Sequence, residues 1–140
     1  MINALPPGSS VSAETDANAP RTILIVEDEV MLRLWIADEL RESGFTVHEA
    51  ANAGEALQVL TSTVVVHAVL TDVRMPGAMD GVGLSEWLAR ERPDVKVLIT
   101  SSQRVASAAH GFIAKPYGAD KVIRSLMALL GVGTDRVQAG

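Results

Sequence analysis

Cysteine is absent from the chain. That excludes disulfide frameworks, thiolate metal sites and cysteine nucleophiles, and it fits a reducing compartment. Aromatic residues make up only 4% of the sequence, too few for the stacking platforms that hold single-stranded nucleic acid. Basic residues are also scarce. Twelve Lys and Arg stand against 17 Asp and Glu, a formal charge of −5, and they form no basic run, so no nucleic-acid partner is expected. No apolar run approaches membrane-spanning length, and the amino terminus lacks the basic start and apolar segment of a signal peptide. The expected location is cytoplasmic, with no membrane partner. What remains is 140 residues, enough for one domain that buries its own core.

Residues 1–21 are rich in Pro, Gly, Ser, Ala and Asn and carry few side chains that repay ordering, so they read as a mobile tail. The domain is expected over 22–131, with a short tail at 132–140. Thr22 to Val26 is a continuous apolar run, the pattern of a strand buried on both faces. Val30 to Ser43 then spaces Val30, Leu34, Ala37 and Leu40 as the apolar stripe of a helix, which Gly44 stops. Strands are expected at Phe45 to Ala50, Val66 to Thr71, Val95 to Thr100 and Gly111 to Ala114. Helices are expected at Ala53 to Leu60, capped by Asn52 with Glu55 three residues on, around Leu84, Trp87 and Leu88, and at Ala119 to Leu130 with Gly131 as its stop. Strands alternating with helices imply right-handed crossovers and a parallel sheet covered on both faces.

In such a sheet all strands end on one edge, and that edge is where ligands bind. The strand ends read Glu27-Asp28, Asp72, Ser101 and Lys115. An aspartate at such a point also serves as a cap or turn residue, and Glu27, Asp28 and Glu29 also suit the amino terminus of the following helix. Convergence separates these readings. Three carboxylates within a few ångströms repel one another by several kcal/mol per close pair at a protein-like effective dielectric, roughly 4 kcal/mol at the upper end. A hard divalent cation offsets this, and Mg2+ accepts one or two carboxylates while keeping oxygens of water or phosphate as its other ligands. Lys115 adds a point positive charge able to pair with Asp72 or with a phosphoryl oxygen. Ser101, favoured over Thr100 as the first residue past its strand, adds a hydroxyl. A carboxylate so placed can act as a nucleophile toward phosphorus and form an acyl phosphate.

The motifs resemble the receiver domain of bacterial two-component response regulators over about Thr22 to Gly131. They are Ile23-Leu24-Ile25-Val26-Glu27-Asp28-Glu29, Leu70-Thr71-Asp72-Val73-Arg74-Met75-Pro76-Gly77 with Asp80-Gly81, Val97-Leu98-Ile99-Thr100-Ser101, and Gly111-Phe112-Ile113-Ala114-Lys115-Pro116-Tyr117. The resemblance implies a flavodoxin-like, doubly wound α/β fold with five parallel strands in the order 2-1-3-4-5. It implies that Asp72 accepts a phosphoryl group from a sensor histidine kinase or phosphotransfer protein, and that the chain catalyses only its own phosphorylation and dephosphorylation. Asp28, Asp72 and the backbone carbonyl of Arg74 would ligate Mg2+, with Glu27 acting through water. Ser101, Phe112 and Lys115 would be the switching hydroxyl, the reporting aromatic and the phosphoryl-binding lysine. No DNA-binding motif follows Gly131, so the expectation is a single-domain regulator signalling to another protein by contact.

Three departures from the family pattern bear on this reading. Gly77-Ala78-Met79-Asp80-Gly81 holds one residue more than the common loop, and Phe112 lacks the hydroxyl of the more common Tyr. Only nine residues, 102–110, lie between Ser101 and the fifth strand, so the fourth helix of the family is expected to be shortened or irregular. Two alternatives are a receiver-like interaction module that is not phosphorylated and a Mg2+-dependent phosphohydrolase. The second generally needs another Asp two residues past the nucleophile, where this chain has Arg74.

Overall fold

The computed structural model describes residues 19–132. Strands β1 (Thr22–Val26), β2 (Thr46–Ala50), β3 (Ala68–Asp72), β4 (Lys96–Ser101) and β5 (Gly111–Ala114) form one parallel sheet in the order β2-β1-β3-β4-β5. Helices α1 (Val30–Glu42), α2 (Ala53–Leu60), α3 (Gly81–Glu91) and α4 (Ala119–Leu130) cover its two faces. The expected 1–21 and 132–140 tails lie mostly outside the described residues. No helix among the described residues is long and apolar enough to cross a membrane.

Two apolar clusters explain the continuous runs. Successive strand residues alternate between faces, and both faces are covered. Ile23, Ile25, Leu70, Leu98 and Ile113 pack against Ile36, Ala37 and Leu40 of α1 and Val122 and Leu126 of α4. On the other face Leu24, Val26, Val69, Val97 and Ile99 meet Ala56 and Leu60 of α2 and Leu84 and Leu88 of α3. The caps follow the sequence closely. Asn52 accepts from the Glu55 backbone N–H at 2.9 Å, and the Glu55 carboxylate reaches back to the Ala51 N–H at 2.7 Å. Gly131 ends α4 in the left-handed conformation (φ 67°) that glycine adopts without strain.

Three expectations need correction, the simplest being that β3 runs Ala68–Asp72 rather than Val66 to Thr71. The buried stripe of α1 is Ile36, Ala37 and Leu40, whereas Val30 and Leu34 are 53% and 44% exposed. Met31 and Trp35 share that exposure, and Trp35 stacks on Tyr117 with ring centroids 6.1 Å apart. The first half of α1 is apolar nearly all round, so its spacing does not choose a face. Arg33 does: it turns inward to bond the Glu27 carbonyl and the Glu49 carboxylate. The third correction is that β4 includes Ser101 as its last residue rather than ending at Thr100. As for the segment Ser102 to His110, it contains no helical turn.

Two histidines close the sheet's amino-terminal edge. Nδ1 of His67 accepts the Thr22 N–H at 2.9 Å, and Nδ1 of His110 accepts the Val97 N–H at 3.0 Å. Burial lowers the pKa of both, helped by Arg21 beside His67 and by Lys96 beside His110. The folded state therefore resists a proton that the unfolded chain takes up below the ordinary value of 6.5. Stability contributed by these groups is complete above that value and is lost as pH falls through the lowered folded values. Burial-raised Glu27 acts in the opposite direction. Urea midpoints should thus fall less steeply with acidification in His67→Asn and His110→Asn than in the wild type; an identical slope would contradict this role.

Candidate functional site

The carboxyl edge of the sheet brings Glu27, Asp28, Asp72, Ser101 and Lys115 together, each placed by local backbone bonding. The Glu27 N–H continues the β1–β2 pairing to the Ala50 carbonyl at 3.0 Å, and the Val73 N–H continues β3–β4 pairing to the Thr100 carbonyl at 3.1 Å. Rigid sheet thus extends up to both acidic positions. The Lys115 N–H bonds the Ser101 carbonyl at 2.8 Å, and the Lys115–Pro116 peptide is cis.

Glu27 and Asp72 are almost enclosed, at 4% and 9% exposure, while Asp28 is exposed. The Lys115 ammonium lies 3.1 Å from Asp72 Oδ2 and 3.3 Å from Glu27 Oε1, bridging both carboxylates. Glu27 Oε2 also accepts the Glu29 N–H at 3.1 Å. Burial nevertheless raises the Glu27 pKa, since desolvation outweighs that bond and the Lys115 charge, with Asp72 repelling from the side. Burial pulls the Lys115 pKa down, but the hydrogen bond to Asp72 and the charges of Glu27 and Asp72 outweigh it, so the net shift is upward. The ammonium stays protonated.

Carboxylate oxygens of Glu27, Asp28 and Asp72 all lie within 4.8 Å of one another. Octahedral Mg2+ with Mg–O bonds of about 2.1 Å separates its ligands by about 3 to 4.2 Å, so this hard-oxygen set fits such an ion with small movements. A cavity of about 300 Å3 opens beside the cluster, lined by Glu29, Leu32, Ser102, Lys115, Pro116 and Tyr117.

Ser101 is 7% exposed, and its Oγ accepts the Gln103 N–H at 3.1 Å. Thr100 pairs in register with Asp72 and is 2% exposed. Alternation along β4 puts its side chain on the opposite face from that of Ser101. Phe112 pairs with Ile99 and is partly buried against the α2–α3 side of the core. The Arg74 side chain is exposed in the loop after β3.

The tasks of three supporting residues escape sequence reasoning. A Cβ on Gly81 would lie 2.1 Å from the Asp72 carbonyl oxygen, so α3 starts directly against the backbone that carries Asp72. The Gly81 N–H bonds the Val73 carbonyl at 2.8 Å, and Asp80 caps the helix by accepting from the Gly83 N–H at 2.9 Å. The longer loop therefore still returns to the site, and the Asp80-Gly81 pair was its visible signal. Arg33 is the second: Nη1 donates to the Glu27 carbonyl at 2.8 Å and Nε to Glu49 at 3.2 Å. Arg104 is the third, its guanidinium carbon 5.1 Å from the centre of the Phe112 ring.

Because Arg33 fixes the backbone between the two acids, Arg33→Met should weaken Mg2+ binding about tenfold, the lower end of what outer-shell changes cost at metal sites. Titration followed by Trp fluorescence or calorimetry would show it. Unchanged affinity would mean that β1 alone holds the acids in place.

A doubly wound α/β domain with three clustered acids and a bridging lysine at its carboxyl edge is a narrow class. Residues 23–127 match the response regulator receiver domain, and the chain belongs to that family. It is 33% identical over 129 residues to the sensor kinase CckA of Brucella abortus, covering 86% of this chain and 14% of that protein. It is 32% identical over 116 residues to the C4-dicarboxylate transport transcriptional regulatory protein DctD of Rhizobium meliloti, covering 77% and 25%. The chain thus spans a quarter or less of the length of these curated relatives. Among solved structures, a CheY-like receiver domain protein of Methanospirillum hungatei has a TM-score of 0.74 at 23% identity, covering 86% of this chain and 99% of that one. Response regulator TrrA of Thermotoga maritima, in complex with Mg(2+)-BeF, has a TM-score of 0.72 at 26% identity, covering 79% and 99%.

Proposed function

We propose that the chain acts in the cytoplasm and accepts a phosphoryl group on Asp72 from the phosphohistidine of a sensor histidine kinase or phosphotransfer protein, in a Mg2+-dependent reaction, and signals by protein contacts. The observation that carries this is the Lys115 ammonium bridging Asp72 and Glu27 inside a three-carboxylate cluster. An Asp72 oxygen attacks phosphorus as the phosphorus–nitrogen bond breaks; that electron pair goes to the imidazole nitrogen of the donor, leaving an acyl phosphate on Asp72. Lys115 then exchanges its contact with the Asp72 carboxylate for one with a phosphoryl oxygen, and Ser101 offers its hydroxyl to another.

Asp28, Asp72, the Arg74 carbonyl and, through water, Glu27 would hold Mg2+, which when bound supplies positive charge opposite the transferring phosphoryl oxygens. Exposed Val30, Met31 and Leu34 begin directly after the acidic strand end and offer a protein donor apolar surface next to the site. Turnover ends with hydrolysis of the chain's own acyl phosphate, so no separate substrate is processed.

Incubation with Mg2+ and phosphoramidate should add one acid-stable, base-labile phosphoryl group to the chain, and chelation of the metal or Asp72→Asn should prevent it. Failure with every phosphoramidate and acyl phosphate donor would favour the non-phosphorylated interaction module.

A further inference from the structure

The segment between β4 and β5 lacks the hydrogen-bond ladder of a helix. Its bonding is sparse. The Gln103 N–H bonds Ser101 Oγ at 3.1 Å, the Ala109 N–H bonds Ser107 Oγ at 3.2 Å, and His110 ties the far end to Val97. Arg104 lies next to Gln103, has no carboxylate partner within ion-pair distance among the described residues, and sets its guanidinium over the Phe112 ring at 5.1 Å. A cation within about 6 Å of a ring centroid is attracted to its face.

Ser101 and Phe112 belong to the same face of the sheet. Ser101 pairs with Ala114 and Ile99 with Phe112, and alternate residues of adjacent strands share a face. One short chain of contacts therefore runs from the site outward, from the Ser101 hydroxyl to the Gln103 N–H, along one residue of backbone to Arg104, and from its guanidinium to the ring.

We infer that Arg104 is a positioning residue that holds Phe112 in its resting place, and that engagement of Ser101 with the phosphoryl group releases it. This rests on the phosphorylation of Asp72 proposed above. Turning the Ser101 side chain toward the site moves Oγ by about 2.4 Å, the separation of two staggered rotamer positions of a hydroxyl. That breaks its 3.1 Å bond from Gln103 or draws the backbone with it. With no helix to resist, Arg104 shifts and Phe112 loses the cation above it.

Because the contact is exposed and weak, removing it should move the resting-to-active population ratio about threefold. Labelling with 4-fluorophenylalanine gives two signals, since the chain contains two Phe, and buried Phe45 serves as the reference. In the wild type, Mg2+ with beryllofluoride, a phosphoryl mimic, should displace the Phe112 signal. Arg104→Met should move the metal-free Phe112 signal part of the way in that direction and tighten apparent beryllofluoride affinity about threefold, because less of the ligand's preference is used to release the ring. Arg104→Lys should lie between. Ser101→Ala, which removes the acceptor of the Gln103 N–H, should move the metal-free Phe112 signal part of the way as Arg104→Met does and lose most of the further response to beryllofluoride.

Unchanged affinity in Arg104→Met overturns the inference whether or not the signal moves, because a contact that does not alter the equilibrium is no tether. Absence of any beryllofluoride response in the wild type, at Phe112 or elsewhere, instead overturns the phosphorylation reading and the release step with it.

Discussion

Gly81→Ala is expected to destabilise the fold by about 3 kcal/mol, at the upper end of typical overpacking costs. It should also slow phosphoryl uptake by Asp72. The new methyl would sit 2.1 Å from the Asp72 carbonyl oxygen and 2.9 Å from the Asp72 carbonyl carbon and the Val73 Cα. All three are backbone atoms of the strand end, so no flexible side chain can swing away. Either α3 withdraws, losing the packing of Leu84 and Leu88, or the Asp72 backbone is displaced. Gly118→Ala is the control, because a methyl there meets nothing within 4 Å. Urea midpoints of the two variants should differ strongly, with Gly118→Ala close to the wild type. Equal midpoints would show that the α3 start is not the support of Asp72.

Lys115→Met carries the second large effect, and its sign depends on the metal. Without Mg2+, the variant leaves Glu27 and Asp72, 4% and 9% exposed, facing each other and Asp28 with no cation between them. Removing one partner of a buried pair costs 3–5 kcal/mol in general, and Lys115 retains 22% side-chain exposure, so about 3 kcal/mol is expected. Adding Mg2+ should recover more stability than in the wild type, because a bound cation relieves the same repulsion. Phosphoryl uptake should nonetheless remain about a hundredfold slower even at saturating Mg2+, as expected when a charge aimed at the developing phosphoryl oxygens is lost. Thermal unfolding with and without Mg2+ separates the two roles. A variant equally stable in chelator would mean that the ion pair contributes no net stability.

The fold was legible because burial on both faces writes itself into sequence as short apolar runs such as Ile23 to Val26, and a parallel sheet then sends every run's end to one edge. Glu27, Asp28, Asp72 and Lys115 could be brought together on that logic alone. The α1 face could not. Val30, Leu34, Ala37 and Leu40 satisfy helical spacing as well as Ile36, Ala37 and Leu40 do, and the choice is made by where Arg33 finds its acceptors on β1 and β2. Gly81 could be read as part of the Asp80-Gly81 motif, but its structural task could not. Its requirement is a close approach to the Asp72 backbone across a loop, which leaves no periodic trace. Ser101 was placed one residue outside its strand because Thr100 and Ser101 both end strands readily; only its pairing with Ala114 decides the matter.

The nine residues from Ser102 to His110 show what a missing helix changes. Their number was readable, and so was the consequence that a full helix would not fit. The Arg104–Phe112 contact that occupies the gap was not readable, since an irregular segment has no repeat from which to infer a neighbour.

The most direct measurement of the central claim is chemical. After phosphorylation with Mg2+ and phosphoramidate, reduction with borohydride converts an aspartyl phosphate to homoserine, and peptide mass spectrometry locates it. The account predicts homoserine in place of Asp72 and at no other acidic position, with none formed when Mg2+ is chelated. Modification at a histidine, at Asp28 or at Glu27 instead, or no conversion despite phosphoryl uptake, would contradict it.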